Sequence, residues 1–281
     1  MPSGTVLVTG ASSGIGEATA LHLAELGFEA VAAVRNDEDA ERLALSGLRA
    51  VKLDVTDADS IAAARAELGD GPLAALVNNA GIAVAGPLEF LPIDQLRRQL
   101  EINLVGQVAV TQALLPALRA GGGRIVNVTS IGGRVAMPLV GAYAASKFGL
   151  EAVSDSLRRE LRSQGVDVVV IEPGGVKTPI WSKGNELASE LAEDMPPEAE
   201  RLYGRLIDAF RRATTKIAKE SGIEPREVAE AIGRALTAKR PRARYLVGRD
   251  AKLREPAARL LPDRLMDRLI ARAMGVDGRR R

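Results

Sequence analysis

The chain has 281 residues, 46% hydrophobic and 26% charged, as expected of a globular protein with one large domain or two small ones. It has no cysteine and one histidine, His22, which excludes disulfides, thiolate metal sites, cysteine nucleophiles, histidine-based triads and multi-histidine metal centres. The net charge of +2 is unevenly spread: residues 239–281 hold 14 Lys/Arg against 5 Asp/Glu, so a mildly acidic body carries a basic tail.

The first apolar run, TVLVT (5–9), reads as a strand and leaves no room before it for a basic-then-apolar secretion signal. TGASSGIG (9–16) follows and opens a helix over about 15–27. Gly10 permits a tight turn, while Gly14 and Gly16 let the backbone approach a pyrophosphate and let helix and strand pack closely. Ser12, Ser13 and Ile15 complete the turn at a helix N-terminus whose N–H groups and dipole favour an anion. The spacing G-x-x-x-G-x-G differs from G-x-G-x-x-G, and a plain glycine-rich turn is the competing reading.

The second strand, EAVAAV (29–34), ends without the carboxylate that would bond a ribose 2′-OH. Arg35 follows, and with the Ser13 hydroxyl it could bind a 2′-phosphate, which favours NADP. Asp37 keeps NAD open, and a solvated loop charge is the alternative role for Arg35.

Helical patterns at 38–46, 57–68, 93–119 and 142–164 then alternate with strands AVKL (50–53), AALVN (75–79), RIVNVT (124–129) and VDVVVIE (166–172). Polar amphipathic helices follow at 184–221, then a helix at 224–238 and a seventh strand, RYLVG (244–248). Nearly continuous apolar strands alternating with helices predict an α/β protein, the doubly wound parallel sheet of the Rossmann fold. The predicted organisation is one domain over 1–250, with a helical substrate-loop insertion at about 180–221 and a basic amphipathic tail over 251–281. Uncharged stretches such as 102–118 contain Asn, Gln and Pro and do not read as membrane spans.

In GAYAASK (141–147), Tyr143 and Lys147 share one helix face. A free tyrosine has a pKa of about 10, too high for a base at neutral pH. A nearby ammonium and an oxidised nicotinamide would lower it and fit the phenol for proton exchange with a substrate oxygen. Ser130, thirteen residues before the tyrosine at the end of a strand, could hold that oxygen. Taken singly, the pair reads as a surface pair and the serine as a turn residue.

Together these motifs resemble the classical short-chain dehydrogenase/reductase family, specifically over residues 4–180 and more loosely to about 248. The resemblance implies that Ser130, Tyr143 and Lys147 are catalytic, with Asn103 of EINLVG supporting a proton relay through water. It implies that Lys147 also holds the nicotinamide ribose, that Asp54 and Val55 meet the adenine, and that Asn79, Ala80 and Gly81 line the cofactor groove. Pro173, Gly174, Val176 and Thr178 would meet the nicotinamide. IEPGGVKTPIW (171–181) with RYLVG looks like the branch holding hydroxysteroid and retinol dehydrogenases. The resemblance also implies a homo-oligomer, dimer or tetramer.

Met137, Val140, Ile180, Trp181 and Leu187 are candidate pocket residues, and their apolar character points to a lipophilic secondary alcohol or ketone, or an apolar aldehyde. The competing reading makes some of them core. In the tail, Leu261, Leu265, Leu269, Met266, Ile270 and Met274 recur at helical spacing among Arg259, Arg264, Arg268 and Arg272. The favoured reading is a helix packed on the body or on a sister subunit; the alternative is a helix on an anionic membrane surface. With 3% aromatics and no recognition motif, no nucleic-acid partner is expected, and neither is a metal. The absence of cysteine fits a reducing cytoplasm. A non-catalytic dinucleotide sensor is the alternative function, and the intact Asn103, Ser130, Tyr143 and Lys147 set argues against it.

Overall fold

The computed structural model describes residues 3–275; residues 276–281 of the expected tail lie outside the described residues. The elements run β1 (Thr5–Thr9), α1 (Gly14–Glu25), β2 (Glu29–Val34), α2 (Asp37–Leu45), β3 (Arg49–Lys52), α3 (Ala58–Leu68) and β4 (Leu73–Asn78). They continue with α4 (Ile93–Leu100), α5 (Gly106–Gly121), β5 (Arg124–Val128), α6 (Gly141–Glu160) and β6 (Asp167–Pro173). Then come α7 (Pro179–Glu193), α8 (Pro197–Lys216), α9 (Pro225–Thr237), β7 (Arg244–Val247), α10 (Arg249–Leu260) and α11 (Asp263–Ala273).

The strands form one seven-stranded sheet in the order β3-β2-β1-β4-β5-β6-β7, with every neighbouring pair parallel. Successive side chains point to opposite faces, so each strand feeds two cores. Val6, Val8, Ala32, Val77 and Ile171 pack with Leu23 of α1 and Val228 and Ile232 of α9. Leu7, Val31, Leu76 and Ile125 pack with Ile61 of α3 and Leu114 and Leu118 of α5. This double burial explains the uninterrupted apolar strands. His22 of α1 packs where α9 crosses it, close to Gly233, so the lone histidine is a packing residue.

Between β1 and β4 the chain order reverses, opening the crevice at the carboxyl ends of the strands where α/β sheets bind ligands. α7 and α8 are inserted over this edge, as expected for 180–221. Sequence periodicity predicts one helix over 93–119; the structure has one, but residues Glu101–Val105 form a π-turn between α4 and α5. Such turns rotate the side chains that follow them.

The tail is only partly packed on the body of the chain. α10 rests on β7 and on the Ile131–Gly133 turn, with Ala251 fully buried. No residue of α11 is buried, and Leu265 and Leu269 are 41% and 45% exposed. Pro262, just before α11, separates the two helices. No helix among the described residues is long and apolar enough to cross a membrane.

Candidate active site

The glycine-rich turn is built by one requirement for each glycine. Gly10 and Gly14 adopt positive φ, +63° and +59°, which side chains disfavour. A Cβ on Gly16 would strike the Gly10 carbonyl and the Asn79 amide. The Asn79 side chain donates to the carbonyls of Thr9 and Gly10 at 3.0 and 3.1 Å, and Thr9 Oγ1 accepts from the N–H groups of Asn79 and Ala80. The turn after β1 is thereby fastened to the turn after β4 across the switch point. Ser13 precedes α1 without a side-chain capping bond, so its hydroxyl is uncommitted.

At the far end of the crevice, neighbouring side chains are already engaged. Asn36 caps α2 by accepting from Asp39 N, and Asp37 pairs with Lys52 at 3.0 Å. Arg42 bonds Glu17, Asp39 and the Ser12 carbonyl. Arg35 is exposed and forms no ion pair among the described residues. Burial would raise the Asp54 carboxyl, but bonds from Thr56 and the Arg35 charge prevail and hold it below its ordinary pKa.

Ser130, Tyr143 and Lys147 meet at the floor. Ser130 Oγ accepts from Gly132 N at 3.0 Å, which leaves its proton to donate. Tyr143 and Lys147 are 8% and 5% exposed on the inner face of α6. Burial pushes the Tyr143 phenol above its ordinary pKa, with Ser130 opposing. The expected lowering rests on the Lys147 ammonium together with an oxidised nicotinamide; the protein's own groups alone leave the phenol raised. The ammonium instead donates to the Val128 carbonyl at 2.9 Å and stands 5.8 Å from the Tyr143 ring centroid. Burial brings Lys147 down to about 8, and the Glu151 charge works against that fall.

Asn103 lies in the Glu101–Val105 π-turn, with its side chain fully engaged. In the π-turn its Oδ1 accepts from Ile82 N, and its Nδ2 donates to Ile82 O and Ser146 Oγ. Gln99 bonds Val84 N and Ile82 O, and Gln107 bonds Ala80 O. All three amides are buried and clamp the segment 80–84 that walls the crevice. The sequence reading missed Gln99 and Gln107, although amides at i, i+4 and i+8 were a visible signal.

A single groove of about 810 Å³ joins these parts. It is lined by Gly10, Ser12, Ser13, Gly14, Ile15, Arg35, Asp54, Val55, Asn79, Ala80, Gly81, Ser130, Tyr143, Lys147, Pro173, Gly174, Val176 and Thr178. Gly16 lies beneath the turn and Asn103 behind the wall. Ile180, Trp181 and Leu187 of α7 reach the groove, with Lys183, Glu186 and Glu190 beside them. Met137 and Val140 do not line it; they pack with Ala83, Ala85, Ile180, Ala188 and Phe210, because α7 and α8 close down on that segment.

Behind Lys147 lies a buried charge cluster that the sequence did not announce. Glu151 accepts from Thr129 Oγ1 at 2.7 Å and pairs with Arg134 at 3.2 Å and Arg244 at 3.1 Å. Glu172 pairs with Arg134 at 2.8 Å. Burial and Glu151 raise the Glu172 carboxyl against the pull of both arginines.

The family model for short chain dehydrogenase matches residues 4–188. The chain belongs to that family. It is 40% identical to 3-amino-tetrahydro-pyrrolizinone reductase of Xenorhabdus hominickii, over 88% of each chain. It is 38% identical to retinol dehydrogenase 5 of Mus musculus, over 94% of this chain and 87% of the relative. A crystal structure of a short-chain dehydrogenase from Burkholderia cenocepacia in complex with NADP superposes with a TM-score of 0.73 at 25% identity, covering 95% of this chain and 96% of that one. This short-chain dehydrogenase is therefore an NAD(P)-dependent oxidoreductase acting on CH–OH groups, with kinship to the retinol dehydrogenase branch.

Proposed function

We propose that the protein transfers hydride between NADP and the carbonyl or alcohol carbon of a lipophilic substrate, with Tyr143 as acid/base group. The observation that carries this reading is the continuity of one groove from the exposed Arg35 to Ser130, Tyr143 and Lys147. The crevice suits a dinucleotide: two positive-φ glycines that line it shape the turn after β1, where a Cβ would run into Ala80 or Thr178, and α1 presents its free N-terminus there. Arg35 and Ser13 would take a 2′-phosphate, as a guanidinium and a hydroxyl do. When bound, the nicotinamide gives or takes the hydride.

The chain's own groups handle the proton. Burial favours the protonated form of the Tyr143 phenol, which suits it to donate from its hydroxyl to a carbonyl oxygen. Ser130, its oxygen already bonded to Gly132 N, directs its proton at the same oxygen. Lys147, fixed on the Val128 carbonyl, holds positive charge behind the phenol. Ile180, Trp181 and Leu187 supply apolar wall beside the floor and support a lipophilic ketone, secondary alcohol or aldehyde.

Exposed Val105 and Phe148, at the start of α5 and on α6, support self-association through those helices. The absence of cysteine supports a cytoplasmic location.

The test is oxidation of NADPH and NADH across a panel of lipophilic ketones and aldehydes, with Tyr143→Phe as control. NADPH-preferring turnover that collapses in the variant is the expected result. Cofactor binding without turnover of any carbonyl would favour a sensor, and turnover of small charged acids alone would overturn the substrate class.

A further inference from the structure

The tail begins by reaching back into the site. β7 ends at Val247, Gly248 turns with φ +99°, and α10 starts at Arg249. The second residue of that helix, Asp250, sends its carboxylate across the chain, and Oδ2 accepts from Gly175 N at 2.9 Å. The same carboxylate fills the space where a side chain on Gly174 would stand. Gly174 N donates to Val247 O at 2.8 Å, and Gly175 O accepts from Ile223 N at 2.9 Å. The turn after β6 is thus strapped from two sides, and Asp250 is the side chain in the strap.

Two further observations mark this contact as more than an N-terminal acid complementing a helix dipole. Gly174 and its neighbour Pro173 line the groove, so the strapped turn is a wall of the cofactor site. α10 also packs on Ile131–Gly133, the turn that begins at Ser130, so the same helix braces both loops of the floor. Asp250 lies well beyond residues 4–188, the part matched by the family model.

We infer that Asp250 is a positioning residue for the cofactor: its carboxylate fixes the PGG turn (173–175) in the shape that walls the groove. This rests on the reading of the groove as the nicotinamide nucleotide site. Gly174 has no positive φ, so its lack of a side chain answers to the carboxylate rather than to the backbone. A carboxylate fits here better than a hydroxyl or an amide, because an ionised acceptor makes the stronger bond to a peptide N–H.

The experiment measures NADPH affinity by nucleotide fluorescence, alongside KM and kcat, for wild type, Asp250→Ala, Asp250→Asn, Gly174→Ala and the Asp250→Ala/Gly174→Ala double variant. Asp250→Ala should weaken NADPH binding and raise its KM about tenfold, the loss expected of one charge-assisted hydrogen bond, with kcat changed less than about twofold. Asp250→Asn, which keeps an oxygen for Gly175 N–H, should recover most of that loss. Gly174→Ala displaces the carboxylate without removing it and should weaken binding similarly. The double variant should then be no worse than either single one, since both remove the same contact. If Asp250→Ala does not fold, Asp250→Asn and Gly174→Ala carry the same comparison. Wild-type affinity in Asp250→Ala, or fully additive losses in the double variant, would overturn the inference. A wild-type protein that binds neither NADPH nor NADH would overturn the cofactor reading itself, a different result from equal binding by wild type and variant.

Discussion

Glu151 stands one turn beyond Lys147 on the same buried face of α6, and its charge opposes the burial that brings the lysine down to about 8. Because folding lowers this pKa from 10.5, the unfolded chain keeps the proton between about pH 8 and 10.5 where the folded chain releases it. Stability from this group therefore rises with pH across that window. At pH 7 the depressed pKa corresponds to roughly 3 kcal/mol of net cost for the buried charge. Lys147→Met should be inactive yet melt higher than wild type at pH 7, with the advantage shrinking as pH approaches 10. Thermal denaturation of the cofactor-free proteins at both pH values checks this; a variant that melts lower at pH 7 would contradict it.

Glu151→Gln should move Lys147 further down. Arg134 from the turn after Ser130 and Arg244 from β7 both face Glu151, while Glu172 of β6 and Asp155 of α6 remain as counter-charges. The pH above which kcat/KM for carbonyl reduction declines should shift to the acid side by about one unit. Removing one partner of a buried ion pair should also cost roughly 3 kcal/mol of stability. An unchanged pH profile would separate the cluster from catalysis.

Tyr143→Phe deletes only the hydroxyl at the floor of the groove. Turnover should fall at least about 1,000-fold, within the range for loss of a positioned acid, while NADPH binding stays near wild type. Residual activity above about a tenth of wild type would assign the proton to another group.

Arg35→Ala should raise KM for NADPH about 10- to 100-fold, as expected for losing a charge-assisted bond worth about 1.5–3 kcal/mol, and leave KM for NADH unchanged. Equal effects on both nucleotides would place Arg35 away from the 2′ position.

Asn103→Ala leaves the Ile82 N–H without its partner and opens the π-turn. A loss of roughly 2–4 kcal/mol in urea denaturation is expected. Asn103→Asp, which keeps an acceptor for Ile82 N–H but turns a buried carboxylate oxygen toward Ile82 O, should lose at least as much. A loss below about 0.5 kcal/mol would show that Gln99 and Gln107 hold the segment unaided.

Much of the site was legible because its parts are local. The glycine turn needs only three residues of defined φ or size, and Tyr143 and Lys147 share a face because they are four apart on a helix. The strands were legible because each is buried on both sides and reads as an apolar run. What stayed open in the sequence depends on contacts between distant segments. Met137 and Val140 look like pocket residues until α7 and α8 cover them, and no pattern within 137–140 encodes that cover. The tail's leucines have helical spacing, but spacing does not say whether anything packs on α11.

The sequence by itself determined the alternation of strands and helices, the glycine turn after β1, and the spacing that puts Tyr143 and Lys147 on one helix face, all set by φ preferences, periodicity and side-chain chemistry over short spans. The tertiary structure decided how those groups are tuned. Lys147 owes its depressed pKa to burial, which is only partly offset by the charge of Glu151, itself held by an arginine 93 residues away. Asp250 meets Gly175 across 75 residues, and the Arg35 charge acts on Asp54 from the neighbouring strand end. Pairings of this kind depend on the summed packing of the whole sheet and its helices, which brings distant segments together by burying apolar surface rather than by any local code.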